Sequence, residues 1–356
     1  MTFDALLLAC FGGPEGPDDV VPFLERVTAG RGIPQERLLE VGQHYLTLGG
    51  VSPINAQNRA LAQAVRDELE QRGSDLPVYL GNRNSAPFFA EVLHDIHANG
   101  QARVLAIPTS AYSSYSGCRQ YREDLAKGLR ESGLVDDLVV EKMSPFGDLA
   151  GFASAMAPGL IEVLSTFHAD RGSFEGVHVF FTTHSIPDSM VAASGPHSGA
   201  SSAQYVDQHL EARARLLATV TERFGAAPSS SLVYQSRSGP PTMPWLEPDI
   251  NDALAGAAAT GVTAAVLVPI GFISDHIEVV WDLDTQARQT AEELGLSFVR
   301  VPTAGVSPEF VAALADRVLS VVEGRSSARG PLWSGLCSAD CCVNARATLD
   351  VVPGCG

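Results

Sequence analysis

The sequence has little positive charge and no long uninterrupted apolar run. Its 24 Lys and Arg residues stand against 41 Asp and Glu residues, which gives a formal net charge of −17 at pH 7. Such a chain repels polyanions, so we expect neither nucleic acid nor an anionic membrane surface as a partner. No apolar stretch approaches the roughly 18 residues of a membrane-spanning helix, and the first residues lack the basic region of a signal peptide. We therefore expect a cytoplasmic protein without an integral membrane segment.

Several motifs of common enzyme classes are also absent. Neither G-x-G-x-x-G nor G-x-x-x-x-G-K-[ST] occurs, so the glycine pairs at 12–13 and 49–50 are better explained as tight turns than as phosphate cradles. No G-x-S-x-G elbow occurs, which argues against a serine hydrolase built on Thr183, His184 and Ser185.

The six cysteines are unevenly distributed, and four of them crowd the last twenty residues. A reducing cytosol disfavours a disulfide framework, so metal binding explains this crowding better. Four thiols can hold zinc or an iron–sulfur cluster, but the C-x3-C-C spacing matches no standard zinc pattern. The alternative is a tail whose cysteines have no common role. Cys118, far from the tail in sequence, is a candidate ligand from the first domain.

Strand-like apolar runs alternate with helical patterns twice along the chain. Each half gives four strands with helices between them, which is typical of α/β proteins with parallel sheets and right-handed crossovers. The sequence predicts two Rossmann-like domains, at residues 1–172 and 173–324, followed by a Cys-rich tail at residues 325–356. We expect the tail to be ordered only where something ties it down. The ligand cleft is expected between the halves, at the carboxyl ends of their strands.

The stretch Val266–Asp284 is the most informative in the chain. It begins as an apolar strand, breaks at a proline and a glycine, and offers Ser274 and Asp275 as helix N-caps. His276 and Glu278 are therefore expected where the strand ends and a helix begins. In open α/β sheets this edge is where ligands bind.

A second histidine, His184, ends the apolar strand VHVFFTT in the same half. The alternative is a strand-end histidine that bonds only to nearby backbone. Because strand ends of one sheet face one cleft, His184 and Glu278 are expected to converge, where they could hold Fe²⁺ or move protons. His276 either joins them or orients Glu278 by a hydrogen bond.

Five motifs in these segments resemble those of the ferrochelatases, the enzymes that insert Fe²⁺ into a porphyrin. They are LLACFGGPEGP, GGVSPI, FTTHSIP, QSRSGPPTMPWLEPD and GFISDHIEVVWDLD. The resemblance runs from about residue 3 to residue 322 and is strongest to actinobacterial members. It implies a pair of Rossmann-like domains and a reaction in which Fe²⁺ enters coproporphyrin III to give Fe-coproporphyrin III.

The resemblance also implies roles for individual residues. His184 would be the metal-site histidine and Glu278 its acidic partner, while Ser52 and Tyr121 would contact the porphyrin propionates, and we add Arg31 as a further donor. Many members carry a two-iron, two-sulfur cluster, and the Cys-rich tail of this chain resembles theirs. For its ligands the sequence favours Cys118, Cys337, Cys341 and Cys342, with Cys355 as a substitute.

Some positions depart from relatives of low-GC Gram-positive bacteria. Phe11 stands where those relatives have a tyrosine that approaches the iron, and Gln286 replaces the glutamate that would join Asp282 in a second metal site. The alternatives are a protoporphyrin IX ferrochelatase, a cobalt chelatase, or a haem- or cluster-binding protein without turnover. We expect a monomer.

Overall fold

The computed structural model describes residues 3–30, 32–195, 204–239, 242–325, 337 and 341–355, apart from the side chains of residues 170, 171 and 355. The strands within these residues are β1 Ala5–Cys10, β2 Val78–Asn82, β3 Arg103–Pro108, β4 Val139–Met143, β5 Val177–His184, β6 Ser229–Gln235, β7 Ala264–Val268, β8 Ser297–Arg300 and β9 Gly354–Cys355.

The helices alternate with these strands. They are α1 Val20–Thr28, α2 Gln35–Thr47, α3 Ile54–Gln71, α4 Phe89–Ala98, α5 Gln120–Ser132, α6 Ala150–Ser154, α7 Ala157–Arg171, α8 Asp188–Ala192, α9 Gln204–Phe224, α10 Ile250–Ala259, α11 Ile277–Val279, α12 Arg288–Glu293 and α13 Pro308–Val322. Two π-helical segments, Tyr115–Arg119 and Val280–Ala287, lead into α5 and α12.

The strands form two parallel sheets, ordered β2-β1-β3-β4-β9 and β6-β5-β7-β8. Every residue of β1 and of β7 is buried. Strands that are apolar along their whole length suit the middle of a parallel sheet, since helices cover both of its faces. The predicted fold class, two α/β units with parallel sheets, is confirmed.

The fifth strand of the first sheet was not predicted, because it comes from the tail. Gly354 and Cys355 pair with Lys142 and Met143 of β4. Just before this strand, the Arg122 Nε donates to the Val352 carbonyl at 2.7 Å, and the Val352 amide donates back to the Arg122 carbonyl. These bonds tie the described end of the tail to α5 and β4.

The two halves exchange helices. α7 precedes residue 172 yet packs against α9 of the second half, and α13 of the second half packs against α3 of the first. A single apolar cluster accordingly runs through both sheets and these helices. The predicted domain boundary at residue 172 remains a prediction, because helices on each side of it pack against the other half.

The segment Ala150–Ala169, which contains α6 and most of α7, is long and apolar enough to cross a membrane by length and composition. Phe152, Leu160 and Leu164 within it are completely buried in the protein core. Core helices pass such a test as readily as membrane helices do, so the segment is weak evidence for membrane insertion.

The start of α3 differs from the expectation drawn from Gly49–Pro53. Ser52 does not cap the helix: Pro53 occupies the cap position without a side-chain bond. The Ser52 amide instead donates to the Pro14 carbonyl at 2.9 Å, which ties this turn to the glycine turn after β1.

Two helical glycines offer a matched test of the packing. A Cβ on Gly151 of α6 would lie 2.2 Å from the Glu309 carbonyl oxygen of α13, whereas a Cβ on Gly256 of α10 would meet nothing within 4 Å. We expect Gly151→Ala to lower the free energy of unfolding by about 1–3 kcal/mol through overpacking. We expect Gly256→Ala to raise it by about 0.5–1 kcal/mol through helix propensity. Urea titrations measure both, and equal stability of the two variants would contradict the packing of α6 on α13.

Candidate active site

His184 stands at the carboxyl end of β5, which lies between β6 and β7 in the second sheet. Its Nδ1 contacts the carbonyl oxygen of Ser185. A carbonyl only accepts hydrogen bonds, so in the neutral imidazole Nδ1 carries the proton and Nε2 is a free lone pair. That Nε2 lies 3.6 Å from Oε2 of Glu278, and the two side chains are 31% and 46% exposed. The predicted convergence is present, and both groups remain within reach of a ligand.

Glu278 is placed by the helix that follows β7. The expected caps Ser274 and Asp275 are wrong: His276 is the N-cap, and its Nδ1 accepts the amide N–H of Glu278 at 3.2 Å. An Nδ1 that accepts carries no proton, so the neutral His276 presents its proton on Nε2. Of the two roles considered for His276, the contact fits the one that orients Glu278.

The charges of these groups depend on one another. Burial lowers the pKa of His184, but the Glu278 carboxylate outweighs burial and the pKa is raised overall. Burial raises the pKa of Glu278, but the neighbouring His184 holds that pKa well below its usual range. Burial lowers the pKa of His276. Glu278 is therefore a carboxylate near neutral pH, and His276 is uncharged.

The last residue of β6 and the residue after it support the helix that carries Glu278 and Asp282. Gln235 Nε2 donates to the Glu278 carbonyl at 2.9 Å, and the Ser236 hydroxyl donates to the Asp282 carboxylate. Ser236 has a φ of 62°, an uncommon backbone conformation for a residue with a side chain. Sequence reasoning gave these residues no role of their own, although the motif QSRSGPPTMPW contains both.

Gly271 lets the loop after β7 pass close to the end of β5. A Cβ at this position would lie 2.2 Å from Oγ1 of Thr183 and 2.8 Å from its Cα. Contact this close to a neighbouring strand leaves no space for a side chain. The absence of one brings the segment that carries Glu278 toward His184.

A buried hydrogen-bond network lies behind His184. His209 Nδ1 contacts the Tyr205 carbonyl at 2.6 Å, so it donates, and His209 Nε2 accepts from the Thr183 hydroxyl at 2.8 Å. The Tyr205 hydroxyl donates to the His184 carbonyl at 2.8 Å. Burial lowers the pKa of His209 to about 4, so the imidazole is neutral. The network fixes the backbone on both sides of the Thr183–His184 bond. Sequence reasoning missed it, although Tyr205 and His209 are one helical turn apart.

Helices of the first half pack against the segment that carries Glu278. Phe23 of α1 and Tyr45 of α2 pack in one apolar cluster with Ile277, the residue before Glu278. His44 stacks on Trp281 with ring centroids 4.2 Å apart. These contacts place α1 and α2 over the edge that carries the acidic helix.

The predicted cysteines lie together on the first sheet's side of the molecule. Cys118 lies in the π-helical segment before α5, and its thiol is hydrogen-bonded to those of Cys337 and Cys342. The Cys341 thiol is hydrogen-bonded to the same two, so these four free cysteines form a ring. The sulfurs of Cys341 and Cys342 are 3.9 Å apart. The side chain of Cys355 lies outside the described residues.

Two observations concern other sites in the described part of the chain. No group of three or more His, Cys, Asp or Glu side chains there has the arrangement of a site for a single ion. A depression of about 990 Å³ opens at the amino ends of the second sheet's strands, but His178 inside it is bonded to Ser229 and Ser231. We place the site at the carboxyl ends, where His184 faces a carboxylate.

Comparison with known proteins identifies the family. The family model described as ferrochelatase matches residues 3–321. The chain belongs to the ferrochelatase family. It is 51% identical to the coproporphyrin III ferrochelatase of Streptomyces coelicolor, over 99% of this chain and 96% of that protein. It is 48% identical to the enzyme of the same name from Leifsonia xyli, over 97% and 92%. SirB from Bacillus subtilis with Fe³⁺ aligns with a TM-score of 0.49 at 10% identity, over 89% of this chain and 94% of that chain.

The predicted porphyrin ligands of this ferrochelatase are less accessible than His184. Ser52 and Tyr121 are 4% exposed, and the guanidinium of Arg83 covers the Tyr121 ring at 4.0 Å from its centroid. Arg31 lies outside the described residues. Contacts of these three side chains with propionates stay predictions. Phe11, in place of the tyrosine, packs edge-on against Phe23.

Asp282 gives this ferrochelatase a testable pH dependence. Burial raises its pKa to about 7; Glu278 and Asp249 act in the same direction, and Ser236 and His184 oppose them. The unfolded carboxyl titrates near pH 4, so between about pH 4 and pH 7 the folded state binds more protons and stability falls as pH rises. Asp282→Asn removes this loss. We expect its gain in unfolding free energy to be small near pH 4 and about 1–3 kcal/mol above pH 7, limited by partial exposure.

Urea titrations across this pH range check the prediction. Asp284→Asn is a poor control because that residue pairs with Arg300, so Asp188→Asn, at the exposed start of α8, is the better one. A gain for Asp282→Asn that does not change with pH would contradict the raised pKa.

Proposed function

We propose that the protein inserts Fe²⁺ into coproporphyrin III to give Fe-coproporphyrin III. The name coproporphyrin III ferrochelatase, which its relatives carry, supports this choice of porphyrin. The observation that carries the proposal is the contact between Nε2 of His184 and Oε2 of Glu278 at 3.6 Å. The pair lies at the carboxyl edge of a parallel sheet, with the first half packed over it. The cytoplasmic location and the monomeric state remain predictions.

His184 has two tasks in this reaction. Its unprotonated Nε2 can ligate Fe²⁺ or accept a proton from a pyrrole nitrogen. The Ser185 carbonyl keeps the ring in the tautomer that leaves Nε2 free. Because Glu278 raises the pKa of His184, the imidazole accepts a proton more readily than a free histidine does.

Glu278 supplies the negative charge. As a carboxylate near neutral pH it attracts the incoming cation and stabilises the imidazolium that His184 becomes. Asp282 lies one helical turn further along and, with a pKa of about 7, exchanges protons near neutral pH. We infer that it passes protons from the Glu278 side toward solvent.

Binding of the porphyrin has to overcome the charge of the chain, because coproporphyrin brings four carboxylates to a protein with a net charge of −17. Hydrogen bonds to carboxylates are worth about 1.5–3 kcal/mol each, so a few local donors suffice. We assign this role to Arg31, Ser52 and Tyr121. Since the long-range field is repulsive, screening by salt does not oppose binding.

Anaerobic incubation with Fe²⁺ and either coproporphyrin III or protoporphyrin IX tests the proposal. We expect faster metallation of coproporphyrin III than of protoporphyrin IX, measured as the change in absorption of the porphyrin. His184→Ala should lower the rate at least about 100-fold, the usual contribution of a positioned proton acceptor, with little change in porphyrin affinity. His178→Ala, at the other end of the same strand, is the matched control and should retain the rate.

Each alternative gives a different result. Faster metallation of protoporphyrin IX would overturn the choice of porphyrin but not the family. Tight porphyrin binding without metallation by the wild-type protein would point to a binding protein. An active His184→Ala enzyme would overturn the assignment of that residue.

We further propose a two-iron, two-sulfur cluster held by Cys118, Cys337, Cys341 and Cys342, with Cys355 as the substitute ligand. The donor set fits, since four thiols from two distant segments meet away from disulfide geometry. When bound, such a cluster supplies one-electron redox chemistry. The thiolates tie the tail to the start of α5.

The absorption spectrum of the purified protein, with iron and sulfide analysis, tests the cluster. We expect a red-brown protein whose visible absorption is lost in Cys118→Ala. The matched control is Cys10→Ala, which alters a buried cysteine whose Sγ contacts the Leu8 carbonyl in β1, and it should keep its colour. A colourless wild-type protein containing zinc would contradict the proposal.

A further inference from the structure

Lys142 is an unusual residue for its position. It lies in β4, pairs with Gly354 of the tail strand, and is 1% exposed, among the largest completely buried side chains in the described residues. Lysine is almost never buried to this extent unless its charge is paired. The surroundings of its ammonium group therefore have to be explained.

The ammonium group points into the cysteine ring. Its Nζ donates to Sγ of Cys118 at 3.3 Å and to the Met143 carbonyl at 2.9 Å. No carboxylate in the described part of the chain lies within ion-pair distance of Nζ. The nearest acidic residue in sequence, Glu141, pairs with Arg103 at 2.6 Å. The sulfurs are thus the groups available to balance the charge.

Burial of an unpaired ammonium costs several kilocalories per mole, so a neutral cluster of four thiols would leave Lys142 strongly unfavourable. Thiolates that bind metal are deprotonated and carry negative charge. The buried cation is therefore compatible with an anionic centre in the ring. Arg122, which is 3% exposed, donates to the Val352 carbonyl just before the tail strand, so a second buried cation lies beside the segment that pairs with Lys142.

We propose that Lys142 is the counter-ion of the iron–sulfur cluster and that its charge favours the reduced cluster. The inference rests on the cluster in the proposed function. In the reaction considered, one electron from dithionite converts one Fe³⁺ of the oxidised cluster to Fe²⁺, no bond to protein is made or broken, and the centre gains one negative charge. A fixed positive charge beside Cys118 stabilises the form with the additional negative charge.

A reductive titration of the whole protein tests this. Wild type, Lys142→Met and Lys127→Met are titrated anaerobically with dithionite and redox mediators, while visible absorption and electron paramagnetic resonance report the reduced fraction. Methionine keeps the length of the side chain without its charge. Lys127, whose exposed side chain pairs with Glu131, is the control for loss of a lysine.

We expect Lys142→Met to lower the equilibrium constant for one-electron reduction at least tenfold, a shift of about 59 mV to lower potential. Lys127→Met should leave the constant unchanged. Equal constants for Lys142→Met and wild type, with the cluster present in both, overturn the inference while leaving the cluster itself intact. A wild-type protein without the cluster's spectrum overturns the cluster instead.

Lys142→Arg decides the case in which the methionine variant does not retain a cluster. Retention of the cluster by the arginine variant, with a potential near that of wild type, supports a requirement for positive charge. Loss of the cluster in both variants shows that the position needs the shape of lysine rather than its charge and overturns the inference.

Discussion

The contact between His184 and Glu278 depends on one constraint, the common edge at which parallel strands end. β5 and β7 are neighbours in the second sheet, so the residues that follow them emerge on the same side. The imidazole and the carboxylate are then 3.6 Å apart, although 94 positions separate residue 184 from residue 278 in the chain. An antiparallel arrangement of the same strands would place the two groups at opposite edges.

The common edge alone does not set the orientation of either group. The Ser185 carbonyl fixes the tautomer of His184, and the His276 ring fixes the start of the helix at Glu278. Behind them, Tyr205 bonds to the His184 carbonyl, and Gly271 allows the second strand's loop to approach Thr183. Each of these partners acts through backbone geometry. The site therefore has two reacting side chains and several residues that position them.

Much of this could be predicted from the sequence, and what could not has physical reasons. Uniformly apolar runs and breaks at glycine and proline reveal buried parallel strands, and strand ends then identify His184 and Glu278. The cap at His276 was missed because Ser274 and Asp275 are better caps by general preference, whereas in the structure the His276 ring accepts from the Glu278 amide and packs edge-on against Phe272. β9 is two residues long and has no periodicity of its own. Its pairing depends on the tail being held by Arg122 and by the thiols.

Lys142 and the exchange of α7 and α13 between the halves could not be predicted either. A lysine in a strand usually faces solvent, and the burial of Lys142 is explained only by its bond to Cys118, which lies far from it in the sequence. The exchange of helices is decided by packing across the whole core, which local patterns do not encode. These features share one property: each depends on residues far away in sequence.

The two centres use opposite charges within one acidic protein. At the carboxyl edge of the second sheet, His184 keeps a partly exposed carboxylate ionised, which suits a site that must attract a free cation. On the first sheet, the buried Lys142 donates to the sulfur of Cys118, so a positive charge lies against the four thiols. The Gly195 amide, after α8, donates to the Cys342 sulfur at 3.2 Å. Because α8 comes soon after His184 in the chain, the segment that leaves the His184 site ends in contact with the cysteine ring. A bond from an amide N–H to sulfur strengthens as the sulfur becomes more negative. The charge on the thiols therefore bears on how firmly that segment is held.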